Sequence, residues 1–379
     1  MKHPIVRLFL CLIAAAPALA QGFTYIAPKD AKAMGLGGSF SALSSGFSSF
    51  YGNPAGFASP SADFTVLDLA AWAYFKPTSA NTSRLLRIIQ GKNTESQTVS
   101  SVNDMLIENG FGGGAMAGLG YTGKGVGLGF FAVTDNYASG DTIMGVRMTS
   151  STSVNAVIGL GTPIRIGDLK LAIGGDARPF YRIDSSPGGW SLLDLITGSG
   201  NVMDNPVTAG FGLAMDFGAS LDLEPFSFGL SIRDISPSFM MDSTTLGSVG
   251  SSVSGGGLAL PESSATRAQP LPIVSVGASW KPRLVRHFID PSLYVEVQDP
   301  VGIYKRQESA WSLLHVGAEL RFLNFITARA GINKGWLSAG LGLDLYVLRL
   351  DGAVFTEELG LHPGDRPRTG VVLQAAIRF

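Results

Sequence analysis

A strict alternation of apolar and polar positions runs from Val207 to Leu223. Every odd position in this stretch is apolar, and every even position is small or acidic. A period of two indicates a β-strand, because successive strand side chains point to opposite faces. Similar alternation recurs at 226–232, 293–297, 314–322 and 337–347. The longest run exceeds the common soluble strand of about five or six residues. The chain is therefore predicted to be all-β, with long strands.

Each predicted strand has one apolar face and one face of small or polar residues. This division suits a transmembrane barrel with a wet or plugged lumen, and equally a half-buried sheet in a soluble protein. Glycine concentrates on the polar face, and aromatic residues gather at strand ends, as an interfacial girdle would. The aromatic residues are Trp72, Tyr74, Phe75, Trp280, Tyr294 and Trp336. We predict the barrel and keep the soluble sheet as the alternative.

Fourteen strands are expected along the chain, an even number that places both ends of the barrel on one side. They lie near 63–75, 112–122, 125–137, 141–162, 168–183, 206–223, 225–235, 270–281, 289–299, 310–322, 325–334, 336–347, 348–357 and 369–379. Connections after even-numbered strands are mostly short, whereas those at 76–111, 184–205, 236–269, 300–309 and 358–368 are long. Short periplasmic turns and long external loops are typical of outer-membrane barrels.

Composition narrows the class of protein further. The 379 residues include 49 glycines and one cysteine, and 45% are hydrophobic against 15% charged. This apolar content and the formal net charge of −1 exclude a disordered chain. With 28 basic and 29 acidic residues, the chain has no basic field for nucleic acid. Beyond the N-terminus it has no run of about 18 apolar residues, so no membrane-spanning helix is predicted.

The N-terminus has the organisation of a secretory signal peptide. Lys2 and Arg7 precede an apolar stretch at 8–15, and Ala18 and Ala20 frame a small-residue cleavage site. We expect cleavage after Ala20, which would remove the single cysteine, Cys11. An exported chain without cysteine has neither disulfides nor thiolate metal sites.

Residues 28–60 interrupt the alternation. The elements Ala33-Met-Gly-Leu-Gly-Gly-Ser-Phe40 and Tyr51-Gly-Asn-Pro-Ala-Gly-Phe57 resemble the N-terminal hatch of the FadL/TodX outer-membrane transporters of hydrophobic compounds and long-chain fatty acids. The resemblance implies that residues 21–62, after the signal peptide predicted at 1–20, form a hatch inside the lumen of a fourteen-stranded barrel at 63–379. The hatch or gating residues it implies are Gly35, Gly37, Gly38, Phe40, Asn53, Pro54, Ala55 and Gly56.

The residue types of this segment agree with a plug. Its glycines let the backbone pass close to a wall, and Asn53 before Pro54 is forced out of helical geometry and can bond to local backbone. A Gly-rich linker into the first strand is the alternative. Spirochaete outer-membrane homologues and a type IX secretion component carry a similar motif, so the resemblance does not fix the function.

Two of the long loops contain candidate amphipathic helices. Their apolar residues recur at spacings of three and four, and such helices either bind an apolar ligand or pack on each other to cap the barrel. In the first case the substrate-binding residues are Arg84, Leu85, Ile88, Ile89, Trp190, Leu193 and Ile196, with Arg84 and Arg87 facing a carboxylate.

Charged residues at inward positions are expected to be paired or solvated, to tether the hatch or to line a conduit. They are Asp176, Asp216, Asp222, Arg233, Glu296, Glu319, Arg321, Arg329 and Asp344. No catalytic motif and no cofactor or metal motif is present, so the chain is not expected to be an enzyme. The C-terminal strand ends on Phe379 and resembles the signal read by the barrel assembly machinery.

The sequence thus predicts an outer-membrane channel of a diderm bacterium that takes up fatty acids or other hydrophobic molecules. Its expected partners are that ligand, outer-membrane lipid and, during biogenesis, the barrel assembly machinery. The alternative function is a barrel that serves as a protein-interaction or secretion accessory platform, and a lipid-acting enzyme ranks third.

Overall fold

A computed structural model describes most of the chain. The described residues are 26–38, 44–167, 169–186, 189–235, 239–261, 266–268, 272–282 and 288–379. They form seventeen strands: β1 (Asp63–Tyr74), β2 (Phe111–Gly123), β3 (Val126–Ala138), β4 (Arg147–Ile166), β5 (Leu169–Ser185), β6 (Trp190–Ser191), β7 (Pro206–Leu223), β8 (Phe226–Ile235), β9 (Phe239–Thr245), β10 (Thr266–Ala268), β11 (Ile273–Trp280), β12 (Ile289–Gln298), β13 (Leu314–Phe322), β14 (Ile326–Asn333), β15 (Trp336–Leu345), β16 (Leu348–Glu358) and β17 (Pro367–Arg378). The predicted signal peptide at 1–20 lies outside the described residues.

Fourteen of these strands close into one antiparallel barrel. The order around the barrel is β1 to β5, β7, β8 and β11 to β17, and β17 pairs with β1 to close the sheet. Phe64 and Phe379 exchange both backbone hydrogen bonds at 2.9 Å, so the first strand begins where the last one ends. The predicted fourteen-stranded barrel and its parity are confirmed.

The two ends of the barrel differ. One end, here called the turn end, carries the chain termini of the barrel and tight connections such as 124–125, 224–225 and 346–347. The opposite end, the loop end, carries the helices α2 (Ser79–Ile89), α3 (Glu95–Asn109), α4 (Leu192–Thr197), α5 (Leu246–Ser254) and α6 (Pro300–Arg306), while α1 (Ala31–Gly35) precedes the barrel. None of the helices in the described ranges is long and apolar enough to cross a membrane.

The two faces of the wall have opposite chemistry. Outward positions along the strands expose large apolar side chains, among them Leu128, Leu160, Phe217, Leu341 and Leu373. Inward positions bury polar and charged side chains such as Asp216, Arg233, Glu319, Arg329 and Asp351. An apolar outer band around a polar interior is the arrangement of a transmembrane barrel, since a soluble sheet would bury its apolar face.

The predicted aromatic girdle is largely wrong. Trp72 and Tyr74 are 4% and 0% exposed and face the lumen, because even positions of β1 point inward from Asp68 onward. There both donate to Asp135, at 2.8 and 2.7 Å. Phe75 and Tyr294 are buried as well, and Trp336 donates to Glu358. Only Trp280 of the predicted group is substantially exposed on the outer face.

Three predicted element boundaries are also wrong. β4 begins at Arg147 rather than near 141, because residues 139–146 form a connection in which Ile143 packs beneath the external helices. Residues 310–313 form a 3₁₀ helix instead of the start of a strand. The connection expected at 236–269 contains β9, α5 and β10, and β9 extends the wall by pairing with the loop-end half of β7.

Candidate functional site

The barrel interior contains residues 26–38 and 44–59, here called the inner segment. Its α1 contacts β14 to β17, and its two 3₁₀ helices, Gly46–Phe50 and Pro54–Ala58, contact β1 to β5 and β7. The two halves of the inner segment therefore rest on opposite parts of the wall. Residue 40 lies outside the described residues, so the predicted hatch residue Phe40 stays a prediction.

Hydrogen bonds and an ion pair hold the first half. Lys29 pairs with Glu357 at 2.5 Å, and the Ala31 N–H donates to the side chain of Gln374 at 2.8 Å. The N–H of Gly37 donates to Ser338 Oγ at 3.0 Å, and its carbonyl oxygen lies 2.8 Å from Nδ1 of the buried His315. Each of these contacts joins the inner segment to β13, β15, β16 or β17.

The predicted glycine turn is a place of close approach. Gly37 and Gly38 have φ of +82° and +74°, in the left-handed region that favours glycine. A Cβ at Gly37 would lie 2.5 Å from the carbonyl oxygen of Ile332, which is wall backbone and cannot move aside. At Gly35, the nearest atom to a Cβ would be the Cα of Gly340, at 3.1 Å. Glycine at these positions lets backbone pack directly on backbone.

Aromatic side chains of the second half fill places where the wall has glycines. A Cβ at Gly127 would lie 2.5 Å from Cε1 of Phe57, and one at Gly120 would lie 2.5 Å from Cε2 of Phe50. Both phenylalanines are fully buried. They belong to an aromatic cluster in which Phe50 and Phe57 have ring centroids 5.6 Å apart. The wall glycines thus form sockets for the inner segment.

Asn53 sits at the seam between β7 and β8. Its Oδ1 accepts from the Ala55 N–H at 2.9 Å, which is the local backbone bond predicted from the sequence. Its Nδ2 donates to the carbonyl oxygens of Ala219 and Leu230, both at 3.2 Å. Pro54 begins the second 3₁₀ helix with Asn53 as its N-cap, and the neighbouring Gly56 packs tightly against Ser49.

Two residues of β8 hold the same turn. Ser231 Oγ donates to the Gly52 carbonyl oxygen at 2.7 Å, and Arg233 donates to the carbonyl oxygen of Tyr51. The β7–β8 register shifts between Met215 and Phe217. This bulge turns the consecutive residues Arg233 and Asp234 both toward the interior. Sequence alternation predicted an inward Arg233 but gave no sign of Ser231.

A cluster of charged wall residues lies next to this turn. Arg178 bridges Asp216, at 3.3 Å, and Asp234, and it also donates to Asn155 at 3.0 Å. The backbone N–H of Asp234 donates to Asp216 at 2.6 Å, so a side chain supplies an acceptor where the bulge interrupts the ladder. This cluster fixes the wall on which the Tyr51–Asn53 turn rests.

A polar chamber of about 110 Å³ lies between the inner segment and β1, β16 and β17. Asp30, Lys32, Asp68, Arg349 and Gln374 are among its lining residues. Burial lowers the pKa of Lys32 from 10.5 to about 8, and the charge of Glu319 opposes this shift. A space of this size and polarity suits a few water molecules.

An apolar layer separates this chamber from the loop end of the lumen. It is formed by the buried residues Ala70, Trp72, Ala353, Phe355 and Val372, and it is continuous with the aromatic cluster of the inner segment.

Above this layer, Arg368 pairs with Glu357 at 2.8 Å, and its guanidinium carbon lies 4.0 and 4.8 Å from the ring centroids of Tyr74 and Tyr137. The apolar layer therefore lies between charged groups of the chamber on its turn-end side and Arg368 with Glu357 on its loop-end side.

The external helices pack on one another. Leu85, Ile88 and Ile196 contact a buried cluster that includes Val102, Met105 and Leu192. Trp190 is buried in a neighbouring cluster with Tyr181 and Val207. Leu193 is half-buried, whereas Ile89 is 71% exposed.

Arg84 is already engaged. It pairs with Asp104 at 2.9 Å and donates to Asn81 at 2.7 Å. Substrate binding by these loops stays a prediction, and their packing on each other is what the contacts show. Phe379, the predicted assembly signal, is exposed at the turn end.

Comparisons with known proteins find solved structures with a similar fold. No protein-family model matches the sequence, and no curated protein matches it. A solved structure described as a TodX deltaS2S3 mutant monoaromatic hydrocarbon channel aligns over 92% of this chain and 97% of its own, with a TM-score of 0.49 and 12% identity. The Pseudomonas putida toluene transporter TodX aligns over 91% and 96%, with a TM-score of 0.42 and 11% identity. A Pseudomonas aeruginosa FadL homologue aligns over 93% and 98%, with a TM-score of 0.42 and 12% identity.

Proposed function

We propose that this protein is an outer-membrane channel that takes up hydrophobic small molecules, with fatty acids as the first class to test. The observation that carries the proposal is a barrel lumen occupied by a segment that is held to the wall by non-covalent contacts alone, beside an apolar layer that faces the loop end. The substrate class rests on that apolar layer and on the resemblance of residues 33–57 to the FadL/TodX hatch. The turn end faces the periplasm and the loop end faces outward, as the loop asymmetry of such barrels requires.

The inner segment is proposed to be the gate. Its Tyr51–Phe57 part is held by side-chain hydrogen bonds from Asn53, Ser231 and Arg233 and by aromatic packing against wall glycines. Contacts of this kind break and re-form without unfolding a barrel whose backbone ladder is closed. Displacement of this part would open a path beside the aromatic cluster.

The distribution of polarity favours a lateral exit over passage straight through the barrel. An apolar solute that reaches the aromatic cluster would next meet the polar chamber around Lys32 and Asp68. Entering it would remove water from charged groups without replacing their hydrogen bonds, which is costly. Leaving through the wall near Asn53 avoids the chamber and requires instead a local opening between β7 and β8, whose pairing is already interrupted by the bulge between Met215 and Phe217.

The experiment is uptake of a labelled long-chain fatty acid into proteoliposomes, together with mass spectrometry of lipids that co-purify with the protein. We expect uptake above that of an unrelated barrel of similar size, and bound fatty acid or another apolar molecule. Uptake equal to the unrelated barrel, with no apolar molecule bound, would contradict the proposal.

A second candidate function is a surface platform for protein clients. It is favoured by apolar side chains exposed at the loop end, namely Leu86, Ile89, Ile107 and Met144. A stable complex on native gels, formed by protein without bound lipid and lost when these residues become serine, would favour the platform. If the protein is a channel, we expect no protein complex on native gels, either before or after these substitutions.

A further inference from the structure

The outer face of the barrel carries a groove across β4, β5, β7 and β8. Its volume is about 670 Å³, within the range of small-molecule sites. Leu160, Ile173, Phe217 and Leu230 form its sides, and Gly175 and Ala219 form its floor. Leu160 and Phe217 are among the most exposed apolar residues of the wall. The groove is therefore a depression in the lipid-facing band where two outward positions lack large side chains.

The groove and the proposed gate lie on the outer and inner faces of the same part of the wall. Immediately beside its floor, Gly174 and Gly218 face inward, and a Cβ at either would collide with Pro54 or Asn53 of the inner segment. At this place the wall carries large side chains on neither face, so only backbone separates the inner segment from the membrane. The groove includes Gly125 of the β2–β3 connection, which places it toward the turn end.

We propose that this groove binds one acyl chain of a membrane phospholipid. The groove is continuous with the outer band that acyl chains already cover, and its lining is apolar apart from Thr162. A chain in the groove restores the side-chain volume that is missing at Gly175 and Ala219. Its position near the turn end assigns the phospholipid to the periplasmic leaflet. The inference rests on the transmembrane placement and does not require the proposed transport.

The proposal is tested by substitutions that fill the groove with larger side chains. Gly175→Val and Ala219→Val each add a branched side chain to its floor. At Gly175 a Cβ meets the ring of Phe217 at 3.1 Å, an exposed side chain that is able to turn aside. Gly352→Val is the matched control outside the groove, because the atom nearest to its Cβ would be the end of the Leu373 side chain, at 3.1 Å, and the Val372 carbonyl oxygen lies at an ordinary contact distance of 3.8 Å.

Native mass spectrometry after detergent extraction counts the phospholipids that each protein retains. We expect one phospholipid on the wild-type protein and on Gly352→Val, and at least a tenfold lower occupancy on both groove variants. A refolding check by circular dichroism accompanies each variant, and Ala219→Val serves alone if Gly175→Val does not fold.

Three outcomes would overturn the inference: no retained phospholipid on the wild-type protein, equal retention on the filled variants, or retention of a free fatty acid in its place. The last outcome would assign the groove to a transported molecule instead of a lipid. Failure of fatty-acid uptake with phospholipid still retained would contradict only the proposed function.

Discussion

The replacement of Asn53 by alanine gives the sharpest test of the gate. Asn53 is 1% exposed and makes one hydrogen bond at 2.9 Å within its own turn and two at 3.2 Å to the carbonyl oxygens of Ala219 and Leu230. At about 0.5–1.5 kcal/mol for each neutral bond, the loss of the two bonds to the wall weakens the docking of this turn by roughly 2 kcal/mol. Because each 1.4 kcal/mol is a factor of ten, the displaced population rises on the order of thirtyfold.

Hydrogen exchange measures this change directly. The backbone amides of 46–58 are expected to exchange faster in Asn53→Ala by about the same factor, while those of β1 at 63–74 keep their rates. Uptake into proteoliposomes is expected to rise, since displacement of the turn precedes passage. Asn81→Ala is the matched control, because Asn81 is an equally buried asparagine that bonds to Glu108 and the Lys76 carbonyl oxygen outside the barrel.

Three results would refute this reasoning. Unchanged exchange at 46–58 would show that Asn53 does not hold the turn. Faster exchange with unchanged uptake would show that the turn moves but does not limit passage, and the gate would have to be sought elsewhere in the inner segment. Equal effects of Asn53→Ala and Asn81→Ala would point to a general loss of stability.

Three further predictions concern the lumen. Gly127→Val is expected to displace the Phe57 ring, 2.5 Å from its Cβ, and to speed exchange at 54–58, whereas Gly250→Ala, with nothing within 4 Å, leaves exchange unchanged. Arg329→Met removes the guanidinium that lies 2.8 Å from Glu319 and 2.6 Å from Asp351. Asp351 keeps its pair with Arg349 at 2.6 Å, so the cost falls mainly on the buried Glu319, and the free energy of unfolding in urea should fall by about 3 kcal/mol. Lys32→Met should remove a pH dependence of the free energy of unfolding. Between pH 8 and 10.5 the Lys32 amine is neutral in the folded protein but protonated in the unfolded chain, so the stability of the wild type rises with pH across this window.

Each of these has a result that would contradict it. Intact exchange at 54–58 in Gly127→Val would mean that the ring has room to move. A loss of less than about 1 kcal/mol in Arg329→Met would mean that water reaches the Glu319 carboxylate. A pH profile that is the same with and without Lys32 would mean that its amine is solvated in the chamber.

The barrel wall was predictable because its signal is local. Strand alternation depends only on which side chains face lipid, and it is complete within a single strand such as β7, which the sequence places at 206–223 as the structure does. The strand count and the parity follow from the same signal. The aromatic girdle failed because aromatic residues at strand ends occupy either face, and register alone decided that Trp72 and Tyr74 point inward.

The contacts of the inner segment were not predictable from periodicity. The bonds of Asn53 reach residues 166 and 177 positions away, and those from Ser231 and Arg233 span 179 and 182 positions. No local pattern marks the partner of such a bond. A signal did exist for Arg233, as a charge at an inward position of a strand, but Ser231 differs in no way from other small residues on the polar face.

The glycines of the wall connect the strand pattern with the contacts of the inner segment. The alternation places them on the inward face, and the structure identifies the neighbours that crowd them: Phe50 against Gly120 and Gly129, and Phe57 against Gly127 and Gly159. A wall of larger residues would have kept the same strands and the same outer band, yet it would exclude the inner segment by sterics alone. The inner segment therefore requires the glycines on the inward face, whereas the membrane requires the apolar side chains of the outer band. A substitution on the inward face should leave the membrane-facing band intact, and a substitution on the outer face should leave the docking of the inner segment intact.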